Sequence, residues 1–381
     1  MTKSKPINIL HVTHSHNQGG IENFILNYYA TINQTRYNFV FLAFDTPGPY
    51  VLEREFSKYG AKTYFVSTNI IRLSSYRMRN FREVIGILKR EKIDIVHIHP
   101  YVGGEIISTI AKLHRIPVII HSHMSQKTGE ASGARRVFRN IASRQLMTYS
   151  SLIAHQRLAC SQQSGKSYFK NKSFRLIPNS IGIDKFRFDA KIRDKLRNKH
   201  KVGKDCFVLL HVGRFAKEKN HDFLIEIFQI FLQKDPSVKL FLVGDGPRKK
   251  AVEQRVRDMN LSNSVVFLGS RNDVDRIYNM ADVFIMPSLS EGLGTALIEA
   301  QANGLPCLAS DTIPHEANQT GTVSFFPLSK SASEWADRLA SLGKSRHPEN
   351  YRKLLSSGYN AKNSVKMLEQ VYEEVYAKNQ K

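Results

Sequence analysis

The chain is short of cysteine. Only Cys160, Cys206 and Cys307 occur in 381 residues, with neither a paired nor a metal-like spacing. That pattern excludes a disulfide framework and a zinc-finger module, and it predicts a reducing compartment. Long apolar runs are missing too: none approaches the ~18 residues that a membrane-spanning helix needs. The opening MTKSKPINILHVTH has a basic flank, but its apolar stretch is brief and β-like, which argues for a strand over 7–12 and against a signal peptide. Residence in the cytosol is the expectation. There is no internal repeat, low-complexity segment or single-strand RNA motif. Acidic residues are the remaining shortage, 33 Asp and Glu against 56 Lys and Arg, giving a formal charge of +23. Such a surplus attracts nucleic acid, an anionic membrane face or phosphorylated substrates, or simply keeps a surface soluble; charge alone does not choose.

What is present suits two ordinary globular cores, with 41% hydrophobic and 23% charged residues. β-Branched runs alternate with helix-like stretches, the pattern of a parallel sheet covered by helices. In the first half, strands are predicted at 7–12, 38–44, 62–66, 93–98, 117–121, 152–159 and 174–177, with helices at 22–31, 76–91 and 104–113 between them. The segment 183–205 is dense in charge and interrupts the pattern. Alternation then resumes, with strands at 207–212, 238–243, 265–268, 283–286, 306–309 and 323–326. The reading is an α/β chain of two doubly wound, Rossmann-like domains, 1–185 and 186–358, followed by a helix over 359–381 that crosses back to the first. Ligands of such sheets bind beyond the carboxyl ends of the strands, and the unusual residues crowd there in both halves.

Three loops of the second half carry chemistry. His211-Val-Gly213-Arg214 ends a strand and is followed by Lys219; Arg offers a bidentate fork and Lys a point charge, a combination suited to a diphosphate whose charge grows as it departs. Gly244-Asp-Gly246-Pro is a glycine turn between strand and helix, a weak signal alone. Glu291-Gly-Leu-Gly294-Thr295-Ala-Leu-Ile-Glu299 is sharper. Amides at Gly294 and Thr295 would point from a helix N-terminus at an anion, and the two carboxylates suit sugar and ribose hydroxyls. Glu299 lies in an apolar stretch, so its carboxylate requires a specific partner.

In the first half, His14-Ser-His16-Asn-Gln-Gly19-Gly20-Ile-Glu22 follows the first strand and opens a helix, its glycines permitting close backbone approach. Glu22 equally suits the helix N-terminus on electrostatic grounds alone. His97 with His99, and His121 with His123, follow later strands, and alternation puts each pair on one face. A four-histidine zinc site is the minor reading of them. The stretches 76–90 and 135–147 read as basic amphipathic helices; for the second, with Arg135, Arg136, Arg139 and Arg144, an anionic membrane surface is preferred.

Taken together, the Glu291-x7-Glu299 motif, Gly213-Arg214-x4-Lys219, Gly244-Asp-Gly246-Pro and Ile177-Pro-Asn-Ser-Ile-Gly-Ile-Asp-Lys-Phe186 resemble the retaining family 4 glycosyltransferases of the GT-B fold, especially those of bacterial capsule and exopolysaccharide synthesis. The resemblance covers nearly the whole chain and implies two domains facing across a cleft. It implies that Arg214 and Lys219 hold the donor diphosphate, Glu291 binds the sugar, Glu299 the ribose, and Arg271 lies beside the base. Gly19, Gly20 and Glu22 belong to the reaction-centre loop. His123, with His121 as runner-up, touches a hydroxyl of the transferred sugar or offers its carbonyl beside the anomeric carbon; His97, His99, His121 and Glu22 fall on the acceptor side. Neither metal nor cofactor is expected, a helix dipole and two cations taking an ion's place. The implied partners are a nucleotide-sugar, by preference a UDP-sugar, a polyprenyl-diphosphate-linked saccharide and the inner face of an anionic membrane, with no nucleic acid. A nucleotide-sugar epimerase on the same scaffold is the alternative, and a basic nucleic-acid-binding protein the less favoured one.

Overall fold

The computed structural model describes residues 5–13, 20–44, 51–66, 76–100, 104–123, 145 and 148–380. They form two compact units, Met1–Ser180 with Ala361–Lys381, and Ile181–Asn360.

The first unit is built on a seven-stranded sheet, all parallel: β1 (Ile7–Thr13), β2 (Tyr37–Ala43), β3 (Lys62–Phe65), β4 (Ile95–Ile98), β5 (Val118–Ser122), β6 (Gln156–Ala159) and β7 (Arg175–Leu176), in the order β3-β2-β1-β4-β5-β6-β7. Helices on both faces explain why strand residues of either parity are apolar. Leu10, Val12, Val40 and Leu42 pack with Val84, Ile87 and Leu88 of the helix Tyr76–Arg90. Ile7, Ile9, Phe39 and Phe41 pack on the other face with Phe24 and Tyr28 of the helix Gly20–Tyr29. Leu368, Val371 and Tyr372 of the last helix, Ala361–Asn379, join that second face, so the end of the chain completes the first unit's core.

The second unit holds a six-stranded parallel sheet: β8 (Val208–Val212), β9 (Lys239–Val243), β10 (Val265–Gly269), β11 (Val283–Met286), β12 (Cys307–Ser310) and β13 (Val323–Phe326), ordered β10-β9-β8-β11-β12-β13. Its core gathers Leu209, Leu240, Ile285 and Leu308 around Phe228 and Trp335. In each sheet the chain reverses direction beside the first strand, between β1 and β4 and between β8 and β11. These are the switch points where a crevice opens at the strands' carboxyl ends.

Two expectations need correction. The charged segment 183–205 belongs to the second unit and does not hold the boundary between the two. Ala190–Lys199 is a helix, capped by Asp189, whose carboxylate accepts from the amides of Lys191 and Ile192. Its Arg193 and Arg197 reach Asp282 at 2.5 and 3.3 Å, and Arg197 also donates to the carbonyls of Gly203 and Cys206. Arg193 and Arg197 thus serve a buried ion cluster, while most of the segment's other charged residues face solvent. The unit boundary accordingly falls at Ser180 and not 185, because Ile181 donates to Tyr359 O and bridges Asn360 within the second unit. Residues 148–153 are helical, so the strand expected from 152 starts only at Gln156. Of the two basic amphipathic helices read in the sequence, Tyr76–Arg90 packs Val84, Ile87 and Leu88 on its own sheet.

Candidate functional site

In the second unit, the loops after β8 and β11 meet across the switch point. The Glu218 carbonyl accepts from Leu289 N–H at 2.7 Å, and Asn220, in the left-handed region at φ 56°, sends its side-chain amide to Pro287 O. This pairing of loops brings Lys219 Nζ within 2.6 Å of Glu291 Oε1, with the two side chains only 17% and 10% exposed. Arg214 stands exposed at the mouth of the same loop. Gly294, at φ 81°, sits just ahead of the helix Thr295–Ala302, leaving that helix's first amides without a side-chain cap. The loop after β9 is fastened to the loop after β8: Phe215 N–H donates to Asp245 O, and Arg248 N–H to Phe215 O. A Cβ on Gly244 would lie 2.1 Å from Gly213 O, and one on Gly246 2.5 Å from Phe215 O. Both glycines are therefore required by this backbone packing, whatever else they contact.

Glu299 finds the partner its apolar setting demands. Tyr278 Oη lies 2.7 Å from Glu299 Oε2 and 3.1 Å from Ala296 O. Burial pushes the carboxyl up to about 7, the Tyr278 contact opposing and Asp275 adding to the rise. Arg271 is engaged bidentately by Asp273 at 2.8 and 2.7 Å, a part-buried pair shortly after Gly269. Asp273-Val274-Asp275 is moreover an Asp-x-Asp pair, a spacing of carboxylates able to hold a divalent ion. Here Arg271 occupies one of its carboxylates.

In the first unit, four strand-borne histidines and a fifth that sequence reading overlooked, His11, form one buried file. His11 Nδ1 lies 3.0 Å from His99 Nε2, His99 Nδ1 2.8 Å from His123 Nε2, and His123 Nδ1 2.6 Å from Asn179 Oδ1. His97 Nδ1 is 2.8 Å from Tyr372 Oη, which also stands 3.4 Å from His11 Nε2. His121 Nε2 donates to Ile177 O at 3.0 Å. Register explains the convergence, since β1 and β4 place His11 opposite His97. Phe24 covers the file, edge-on to His121 and 4.9 Å from His123. Burial holds all five imidazoles neutral, His11 down to about 3 and His123 to about 4. His97, His99 and His121 are thus core residues, at most 1% exposed, and offer no surface to an acceptor; both nitrogens of His123 are engaged within the unit. Two triads, His11/His97/His99 and His99/His121/His123, have ring nitrogens within 4.8 Å of one another. They share His99, whose nitrogens already bond two other histidines, and neither includes a carboxylate to offset an ion's charge in this interior. Hydrogen bonding is the simpler account of the arrangement.

Gly19, His14, His16, Arg135, Arg136, Arg139 and Arg144 lie outside the described residues. Gly20 opens the helix Gly20–Tyr29, and Glu22 lies in its first turn. Among the described residues no helix is long and apolar enough to cross a membrane.

Two doubly wound parallel sheets, one in each unit, are the architecture of the GT-B class. A solved structure of Anabaena HepE, in complex with UDP and glucose, superposes with a TM-score of 0.75 over 97% of this chain and 100% of that one, at 18% identity. Residues 18–185 match the family model described as Glycosyltransferase Family 4, and 192–361 the one described as Glycosyl transferases group 1. EpsF of Bacillus subtilis (strain 168), named as a glycosyltransferase, is 30% identical over 378 residues, 96% of each chain. An Escherichia coli protein named as UDP-Gal:alpha-D-GlcNAc-diphosphoundecaprenol alpha-1,3-galactosyltransferase is 28% identical over 66% of each. The chain belongs to glycosyltransferase family 4, resembles exopolysaccharide enzymes, and is a glycosyltransferase.

Proposed function

We propose that the enzyme transfers a hexose or N-acetylhexosamine, with retention, from a UDP-sugar to a polyprenyl-diphosphate-linked saccharide in capsule or exopolysaccharide synthesis. The observation that carries this reading is the Lys219–Glu291 pair. It joins a cation suited to a diphosphate and a carboxylate suited to sugar hydroxyls at the point where a doubly wound sheet binds ligands. Arg214 and the uncapped amides at Gly294 and Thr295 supply further positive potential there. The preference for UDP is supported by HepE having been solved with UDP, and the lipid-linked acceptor by the name of the E. coli relative.

In this reading the bond from the anomeric carbon to phosphate breaks as the acceptor oxygen bonds the same face. The acceptor proton passes to the departing phosphate oxygen. Lys219, Arg214 and the helix amides stabilise the charge left on the diphosphate, Glu291 orients the sugar and Glu299 the ribose. With both ring nitrogens of His123 engaged by His99 and Asn179, its main-chain carbonyl, rather than its ring, is the group assigned to the anomeric carbon. The resident cations take the place of an ion, so EDTA leaves turnover intact. Loss of activity restored by a divalent ion contradicts this.

The test is a thermal-shift panel of UDP-, GDP- and ADP-sugars, since a ligand that binds the native state raises its melting point. It is followed by UDP release from the best UDP-sugar with GlcNAc-diphosphoundecaprenol as acceptor. No shift by any UDP-sugar, or an inverted anomeric product, defeats the proposal. The +23 charge supports attachment to an anionic membrane face. Unchanged co-sedimentation with phosphatidylglycerol vesicles after charge reversal at Arg135, Arg136 and Arg139 removes that part alone.

A further inference from the structure

The five histidines beneath Phe24 make a hydrogen-bond chain whose direction can be worked out from its end. The assigned Asn179 Oδ1 only accepts, so His123 must place its proton on Nδ1. A neutral ring then has a lone pair on Nε2, which accepts from His99 Nδ1–H. The same step repeats: His99 Nε2 accepts from His11 Nδ1–H, and His11 Nε2 accepts from Tyr372 O–H. The phenol oxygen is left to accept from His97 Nδ1–H. His121 alone takes the opposite tautomer, because the Ile177 carbonyl requires a hydrogen on Nε2. All these links are satisfied in one direction, and burial, which disfavours imidazolium, keeps a second proton from breaking the run. Only the lone pairs on His97 Nε2 and His121 Nδ1 lack partners.

We infer that Tyr372, His11, His99 and Asn179 are positioning residues that lock the tautomer and ring plane of His123, and with them the end of β5, for sugar transfer. The inference rests on the proposed function, in which the His123 main chain borders the transferred sugar. It adds that the setting comes from the last helix: Tyr372 is 249 residues further along the chain (372 − 123 = 249) yet buried against the same file. A ring held at both nitrogens cannot turn about its χ2 without breaking a buried hydrogen bond and leaving its partner unsatisfied. Displacement of a positioning group by an ångström is enough to cost about 100-fold in rate.

The experiment has a spectroscopic and a kinetic arm, both on the full chain. Long-range 15N–1H correlation on protein labelled in its histidine rings should show Nδ1–H tautomers for His11, His97, His99 and His123 and Nε2–H for His121. Free imidazole side chains in water favour Nε2–H, so the four-to-one pattern is not a default. Tyr372→Phe removes the hydroxyl and Asn179→Leu removes the terminal acceptor. Each is expected to shift signals of His11, His99 and His123 and to lower kcat by about 10-fold or more with donor KM unchanged. Any other tautomer set in the parent overturns the inference. So does normal kcat in both variants while His123→Ala is inactive, because the file is then packing alone. A fully active His123→Ala overturns the inference alone, even if the tautomers are as described, because alanine keeps the main-chain carbonyl that the proposed function uses; failure of that function shows instead as no thermal shift by any UDP-sugar. Asn179→Leu guards against a folding failure of the Tyr372 variant, since it alters the other end of the file.

Discussion

Glu299→Gln should make the protein more stable in mild alkali and less able to hold its donor. The carboxyl sits in an apolar stretch against the buried Tyr278 hydroxyl, and burial raises it from 4.5 to about 7. When protonated, it donates to the phenol oxygen while the phenol hydrogen goes to Ala296 O. When ionised, it claims that hydrogen for itself. A carboxyl raised on folding contributes stability that is complete below 4.5 and is lost as pH climbs through about 7. The gap corresponds to about 3 kcal/mol, an upper bound because the side chain is half-buried and water reaches part of it. Gln copies the protonated group, with its amide donating to the phenol, at every pH. In the second unit, of 180 residues (360 − 181 + 1), each kcal/mol moves a melting point by about 2–4 °C. At pH 8 the variant is therefore expected to melt as much as about 6–12 °C above the parent, and at pH 4.5 close to it. The measurement is paired melting curves at the two pH values, with and without UDP-sugar. A parent–variant difference that does not change with pH refutes the reasoning, and so does a variant that melts lower at pH 8.

Glu291→Ala and Lys219→Ala are each expected to slow transfer by at least about 100-fold, the scale of one transition-state electrostatic contact; near-normal turnover by either folded variant counts against the assignment. Asp282→Ala strips Arg193 and Arg197 of their shared carboxylate and should cost about 3–5 kcal/mol in urea unfolding, whereas a loss under about 1 kcal/mol means the cluster is not holding the helix. Gly244→Ala drives a Cβ to 2.1 Å from Gly213 O, so the loop bearing Arg214 must shift. Its melting point and its UDP-induced thermal shift should both fall, and parental values for both would show that the loop yields freely.

Strands of the second unit were legible from their β-branched and aromatic runs: Val283–Met286 is fully buried, with no polar alternation to disguise it, and the part-buried edge strand Val323–Phe326 still reads from Val323 and its two phenylalanines. The same cue misled at 152–153, where Leu and Ile belong to a helix. Arg193 and Arg197 were illegible as core residues, since their partner Asp282 lies some 85–89 positions away and a local window sees only a charge run. Glu299 announced a need for a partner, but nothing local pointed to Tyr278, 21 residues earlier. Lys219 and Glu291 carried their motif in plain view; their contact depended on the pairing of Glu218 with Leu289. The histidine pairs were visible, but His97, His99 and His121 were placed on the acceptor side although each is at most 1% exposed. Sequence order gave their shared face but not the covering helix, and so made acceptor contacts of side chains that Phe24 and Tyr372 enclose.

The Lys219–Glu291 pair also limits what a single substitution can prove. With no donor bound, each group neutralises the other in a pocket where both side chains are mostly buried. Removing the lysine deprives Glu291 of its counter-charge, and the resulting destabilisation can imitate a catalytic loss. A double-mutant cycle separates the two. If the pair is only structural, the double Lys219→Ala/Glu291→Ala variant should recover both melting point and turnover relative to either single change, because no uncompensated charge remains. If the groups bind opposite ends of the donor, stability recovers and turnover does not: the diphosphate has lost its cation and the sugar its acceptor, and these losses act on different atoms of the substrate. Recovery of stability without recovery of rate is the outcome the donor-binding assignment requires. Recovery of both returns Lys219 and Glu291 to the fold and leaves the diphosphate to Arg214 and the helix amides alone.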